Sequence, residues 1–219
     1  MTLLNPTTIP PGNPRMPSTR LSPLIPLLLA FAMAGAPRPA AAQQGPAEVV
    51  RSRNAQVQRI LQAHPGDTVR GPDRERLKDV INGLIDFNEL SRRALGRNWD
   101  TRTDAQKAEF VSVFRELVRS SSVKKLGVHR ADSVVYRPAQ VNGTQATVTT
   151  VAWKDRKSAE IVYQMHQVGG EWKAWDVIVD GSSTMRTYRD SFTKEINSSG
   201  YDAMFARLKD RLAQEQREG

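Results

Sequence analysis

Few side chains in this sequence are placed to do chemistry. Asp176 and Asp180 lie four residues apart on one side of a strand-like segment, a spacing at which two carboxylates can share general acid and base work. His166, in the preceding strand-like segment, is the matching candidate base. Each also has an ordinary structural use, the acids as a solvated side chain and a helix or turn cap, the histidine as a strand-surface residue. His64, His129 and His166 are scattered without metal-ligand spacing, so no metal site is expected. There is no cysteine, which removes disulfides, thiolate ligands, a thiol nucleophile and a lipoprotein anchor. The phosphate-binding loop, the dinucleotide glycine motif and the paired-histidine zinc motif are all missing. Gly181-Ser182-Ser183 lacks the second glycine of a nucleophile elbow. No catalytic residue and no cofactor is therefore expected; an enzyme working through Asp176 and His166 is the alternative.

The apolar residues carry more information. Trp175, Val177 and Val179 alternate along one segment, and Ile161, Tyr163 and Met165 along its neighbour. Helical stripes, one with Phe110, Val113, Phe114 and Leu117, the other with Met185, Tyr188, Phe192 and Ile196, can cover that face. The pattern fits a filled core, and it fits equally a hollow that encloses an apolar ligand. Periodicity alone does not separate them.

The elements that hold these residues follow from local signals. Pro46 opens an amphipathic stretch that ends near Pro65-Gly66, and a second helix follows Gly71-Pro72 with Leu77, Val80, Ile81, Leu84 and Ile85 in one stripe. Asp86 with Glu89 forms a capping-box pattern for a helix from Phe87 to Leu95, stopped by Gly96, and Thr103 with Gln106 repeats it. Helical signal weakens at Ser120-Ser121-Ser122. Strands are expected at Ser133 to Tyr136, Ala146 to Trp153, Ala159 to Val168 and Trp172 to Val179. The turns fall at Asn142-Gly143, at Lys154 to Lys157 and at Gly169-Gly170. Two helices, separated at Gly200, close the chain. The expectation is α+β, with helices packed on a small twisted antiparallel sheet of three to four strands.

Residues 1–42 differ in kind. They hold 9 of the 13 prolines, three arginines and no acid. An apolar run from Leu24 to Ala34 leads to Ala40-Ala41-Ala42. A basic start, a short apolar run and a small-residue end read as a secretory signal cleaved after Ala42, leaving residues 43–219 as one domain in the periplasm. Beyond residue 42 the chain keeps 29 basic and 23 acidic side chains, a surplus of +6. Export makes nucleic acid an unsuitable partner and favours anionic head groups or an acidic protein surface.

The segment Trp172 to Ser183, with Trp172, Ala174, Asp176, Val177, Val179, Asp180, Gly181 and Ser183, followed by Tyr188-Arg189 and Phe192, resembles the signature of the MlaC, or toluene-tolerance, family. These are exported phospholipid-binding components of an ABC lipid-transport system. Phe87, then Ala94-Leu95-Gly96-Arg97-Asn98-Trp99, then Thr103, Gln106 and Phe110 resemble a second family stretch, and Gly200 to Leu212 the family's ending. Asp180 stands where the family usually has Glu, and Ser182 where it usually has Val or Ile.

The resemblance implies a partly NTF2-like fold with acyl chains between sheet and helices and the head group toward solvent. It implies two partners besides phospholipid, an inner-membrane ABC lipid-transport complex and an outer-membrane lipoprotein–porin complex. On this reading the lipid-binding candidates are Ile161, Tyr163, Met165, Trp175, Val177, Val179, Leu117, Met185, Tyr188 and Phe192. Arg92, Arg93, Arg97 and Arg189 are candidates for head-group or partner contact. Another lipid, such as a hopanoid, and an NTF2-like enzyme are the competing readings.

Overall fold

The computed structural model describes residues 44–65, 69–123 and 130–218. The expected signal peptide and His129 lie outside them. The helical half comes first: α1 (Pro46–Gln62), α2 (Gly71–Asn82), α3 (Phe87–Leu95), the single turn α4 (Arg97–Asp100) and α5 (Asp104–Ser122). Thr103 and Gln106 complete a full capping box at α5. At α3 only half the expected box forms. The Asp86 carboxylate accepts the amides of Asn88 and Glu89, but Glu89 does not reach back. Its carboxylate turns to Arg92 and Arg93, one turn further on, where charge-assisted bonds of 2.7 Å are available.

The sheet contains β1 (Ser133–Tyr136), β2 (Gln140–Asn142), β3 (Gln145–Lys154), β4 (Lys157–Val168), β5 (Glu171–Val179) and β6 (Ser182–Ser183). It runs β1-β3-β4-β5-β6, with β2 also on β3, and every pairing is antiparallel. The two strands beyond the expected four are β2 and β6, of three and two residues, too short to show an alternation. The chain ends in α6 (Thr184–Glu218), broken at Gly200, whose φ of 81° and ψ of 168° leave the helical region. Glycine takes that geometry without the Cβ penalty, so the closing helix folds back as two segments.

Helices cover one face of the sheet. Val50, Leu84, Ala146, Val148, Met165, Trp172 and Ala174 form a small core between them. A larger core lies among the helices, where α3, α5 and both halves of α6 bury Leu90, Leu95, Phe110, Phe114, Leu117, Phe192, Met204 and Phe205. On the sheet's other face Val135 and Trp153 are exposed.

Candidate apolar-ligand site

Between the sheet and the helices lies a cavity of about 680 Å³, within the range of about 300–1,000 Å³ typical of ligand pockets. Its sheet wall is Val134, Thr150, Ala152, Ile161, Tyr163, Val177 and Val179. These meet in register as Val134–Ala152, Thr150–Ile161, Ile161–Val179 and Tyr163–Val177, so they form one continuous face. The opposite wall comes from Val57 and Gln58 of α1, Ile81 and Asn82 of α2, Val118, Ser121 and Ser122 of α5, and Thr187, Tyr188 and Ser191 of α6. Arg211 and Glu215 reach it from beyond Gly200. Many of the side chains that face each other across the space are short. Alanine and valine on the strands face serine, threonine and asparagine on the helices, and neither layer reaches the other.

A β-bulge shapes the deep end. Gln164 pairs with Asp176 and Met165 with Ala174, so Trp175 is the residue left without a register partner. The inward set therefore switches along β5, from Trp172 and Ala174 to Val177 and Val179. Trp175, Val177 and Val179, expected on one face, all reach the cavity wall; what the bulge adds is the change of face from Trp172 and Ala174 below it. Asp176 is nonetheless only 4% exposed, because the start of α6 covers it. One Asp176 oxygen accepts from the Ser183 hydroxyl at 2.6 Å and the other from the Met185 amide at 2.9 Å, so the carboxylate caps the first turn of α6. Asp180 accepts from the Glu160 amide at 2.9 Å. His166 Nε2 lies 2.9 Å from Asp86. The three groups expected for acid–base work are thus held by three different structural neighbours and do not form one catalytic constellation.

Tyr163 is the main polar group on the sheet wall. Burial pushes its phenol up to about 12, against the opposing effect of hydrogen bonds with Asn54 and Thr150. Asn54 also donates to the Tyr136 hydroxyl at 3.1 Å.

Of the ten candidate wall residues, Ile161, Tyr163, Trp175, Val177, Val179 and Tyr188 line the cavity. The other four do not. Met165 sits below the bulge, sealed with Ala174 and Val148. Leu117, Met185 and Phe192 point into or pack on the aromatic helix core. Ser182, the departure from the family pattern, is on the wall.

The basic candidates also divide. The Arg92 guanidinium bonds both Glu89 oxygens at 2.7 Å, and Arg93 bonds one of them. Hydrogen bonding from Arg92 leads the effects that hold the Glu89 carboxyl down at about 2, against its partial burial. Arg93 stacks 3.8 Å over the Trp175 ring, and Arg189 Nε donates to the Arg93 carbonyl at 2.9 Å. Arg93 and Arg189 brace α3 against β5 and α6, Arg92 pairs within α3, and Arg97 is exposed. Among the described residues no group of His, Asp and Glu is arranged to hold a metal ion.

The sequence reading missed the helix side of the cavity. Ser121, Ser122, Thr187 and Ser191 look like surface residues, and the only available signal was their clustering at positions that should face the sheet.

Fold and site together define an α+β module built round an apolar hollow. The chain belongs to the MlaC family, whose family model, "MlaC protein", matches residues 52–210. It is 23% identical over 184 residues to the toluene tolerance protein ttg2D of Pseudomonas putida, an alignment covering 82% of this chain and 83% of that protein. It also shares its fold with a phospholipid-binding protein from Ralstonia solanacearum solved in complex with a phospholipid. That match has a TM-score of 0.68 and 20% identity, and covers 79% of this chain and 99% of the other.

Proposed function

We propose that this protein is a periplasmic phospholipid carrier, not an enzyme, that holds acyl chains in the cavity between sheet and helices. On this reading it shuttles lipid between an inner-membrane ABC lipid-transport complex and an outer-membrane lipoprotein–porin complex, maintaining outer-membrane lipid asymmetry. The observation that carries the proposal is the hollow of about 680 Å³ with Val134, Ala152, Ile161, Val177 and Val179 along its sheet wall. The phospholipid bound to the Ralstonia relative supports the same assignment. Two acyl chains carry on the order of 30 methylenes, and at about 0.8 kcal/mol each their exposure to water costs on the order of 20 kcal/mol. A carrier must hide nearly all of that surface and still release it, which calls for an apolar wall with few strong polar anchors. The wall matches that demand, since Asp176 and Asn82 are already bonded to protein partners. Among the described residues no helix is long and apolar enough to cross a membrane.

The test is gentle purification followed by native mass spectrometry and lipid extraction. Phospholipid should co-purify, and Ile161→Trp with Val177→Trp, which fill the hollow, should retain at least tenfold less. A protein that stays lipid-free and takes up no labelled phospholipid from vesicles would sink the proposal. Recovery of a hopanoid instead would replace the lipid class while keeping the carrier.

A further inference from the structure

The β3–β4 hairpin carries chemistry that the cavity does not use. β3 and β4 are the longest strands of the sheet, and Lys154 pairs with Lys157 across a two-residue turn, Asp155-Arg156. Both turn residues have positive φ, 49° and 66°, so an arginine stands where such turns ordinarily have glycine. Immediately before the turn Trp153 is 42% exposed. Its cross-strand neighbours are Ser133 and Ser158, too short to cover an indole. Val135, on the same face one pair further along β1, is 53% exposed.

Lys154, Arg156 and Lys157 make no ion pair among the described residues. Two acids stand close by, Asp155 and Asp132. The Asp132 carboxylate is engaged by the Asp155 amide at 3.0 Å, and the nearby Glu160 is paired with Arg137 at 3.4 Å. The tip is thus an exposed indole beside three cations without an ion-pair partner, in excess over the carboxylates of Asp155 and Asp132, which keep their charge.

We propose that this hairpin tip is a peripheral docking surface for an anionic lipid bilayer. An indole is amphipathic and settles at head-group depth, while lysine and arginine beside it meet lipid phosphates. An acidic protein surface could use the cations and the indole alike, but a two-residue hairpin tip offers far less area than a stable protein interface buries, whereas it suits shallow insertion at head-group depth. The tip's position adds a purpose that rests on the carrier reading. Val134 and Ala152, the register pair next to Ser133 and Trp153, are on the cavity wall. A bilayer held at the tip therefore lies one residue beyond the wall that would receive acyl chains.

The test is co-sedimentation of the full chain with vesicles of phosphatidylglycerol and phosphatidylethanolamine, and with vesicles of phosphatidylcholine alone. The chain should bind the anionic vesicles more tightly, and salt should weaken that binding. Each neutralised cation should cost about fivefold, so Lys154→Gln, Arg156→Gln and Lys157→Gln together should cost about 100-fold. Trp153→Ser should weaken binding further and remove the blue shift of tryptophan emission that vesicles induce. Every variant keeps residues 1–43, so their contribution cancels. Circular dichroism and retention of co-purified lipid should match the unaltered protein, because none of these residues is on the cavity wall. Failure to bind anionic vesicles, or equal binding by the triple variant, would overturn the docking surface. Tip-dependent vesicle binding by a protein that extracts no lipid would sustain it and fail the carrier reading instead.

Discussion

The aromatic helix core and the cavity are adjacent regions made from the same elements, yet one is solid and the other hollow. In the core, Phe110, Phe114, Phe192 and Tyr188 meet with ring centroids 4.7–5.7 Å apart. Large rings from α5 and α6 interlock there. The same two helices present Ser121 and Ser122, about two turns past Phe114, and Thr187 and Ser191, each one residue before an aromatic, to the cavity. There the facing strands carry mostly valine, isoleucine and alanine, and the space between stays open. Side-chain reach therefore decides which region is filled; hydrophobicity alone does not. Tyr188 belongs to both, with its ring against Phe114 and on the cavity wall. The solid core thus forms the rigid floor of the hollow.

The largest expected effect tests the solid side. Phe114 is fully buried and contacts three other rings. Phe114→Ala should cost about 3–5 kcal/mol in urea unfolding, the range for large-to-small changes in tight cores. A loss below about 1 kcal/mol would show that this region is looser than its geometry implies.

Next comes the polar rung on the hollow's wall. Tyr163 has its phenol raised from 10 to about 12 by burial. Between those values the unfolded chain has lost the proton and the folded chain keeps it, so stability falls as pH rises. Tyr163's share of the loss should reach about 2 kcal/mol across that window and be absent in Tyr163→Phe, which keeps only the share of Tyr188 and Tyr201, whose phenols burial also raises. Chemical denaturation at pH 9.5 and 11.5 measures it; an unchanged slope in the variant would remove Tyr163 as the cause.

A smaller acid-side effect belongs to the brace between the two regions. Glu89, held down at about 2 chiefly by its hydrogen bond from Arg92, contributes stability above its ordinary value of 4.5. That contribution is lost as pH falls from 4.5 toward 2. With one partner half-exposed to solvent, the expected loss is about 1 kcal/mol. Glu89→Gln should remove that share of the pH dependence and weaken the Arg93 stack on Trp175. Trp fluorescence during an acid titration reads both.

The split between legible and hidden parts follows from range. β1, β3, β4 and β5 were readable because alternation and turn residues are local, and α5 because its capping box is complete within four residues. The bulge was hidden, since Trp175 continues an apolar alternation that only pairing with β4 interrupts. The His166–Asp86 contact spans 80 residues. Arg211 and Glu215 reach the cavity only because Gly200 turns the last helix back. The sheet wall of the site was legible, and four candidates fell into cores because an inward apolar residue looks the same whether it meets a neighbour or a void.

That ambiguity can be resolved by experiment at Val177. Val177 is the register partner of Tyr163 and lines the hollow, so in lipid-stripped protein part of its side-chain surface touches nothing. Val177→Ala should then cost about 1 kcal/mol or less, because little dispersion contact is lost and the cavity term is small. Loading with phospholipid adds contacts to those methyls and stabilises the folded state by mass action, an increment the variant should share less fully. The cost of Val177→Ala should therefore grow on loading, whereas the cost of Phe114→Ala should stay the same. Paired urea titrations of stripped and loaded protein give all four values. If Val177→Ala already costs what a filled core demands in stripped protein, the sheet and helices meet in solution and the hollow is not there to be occupied.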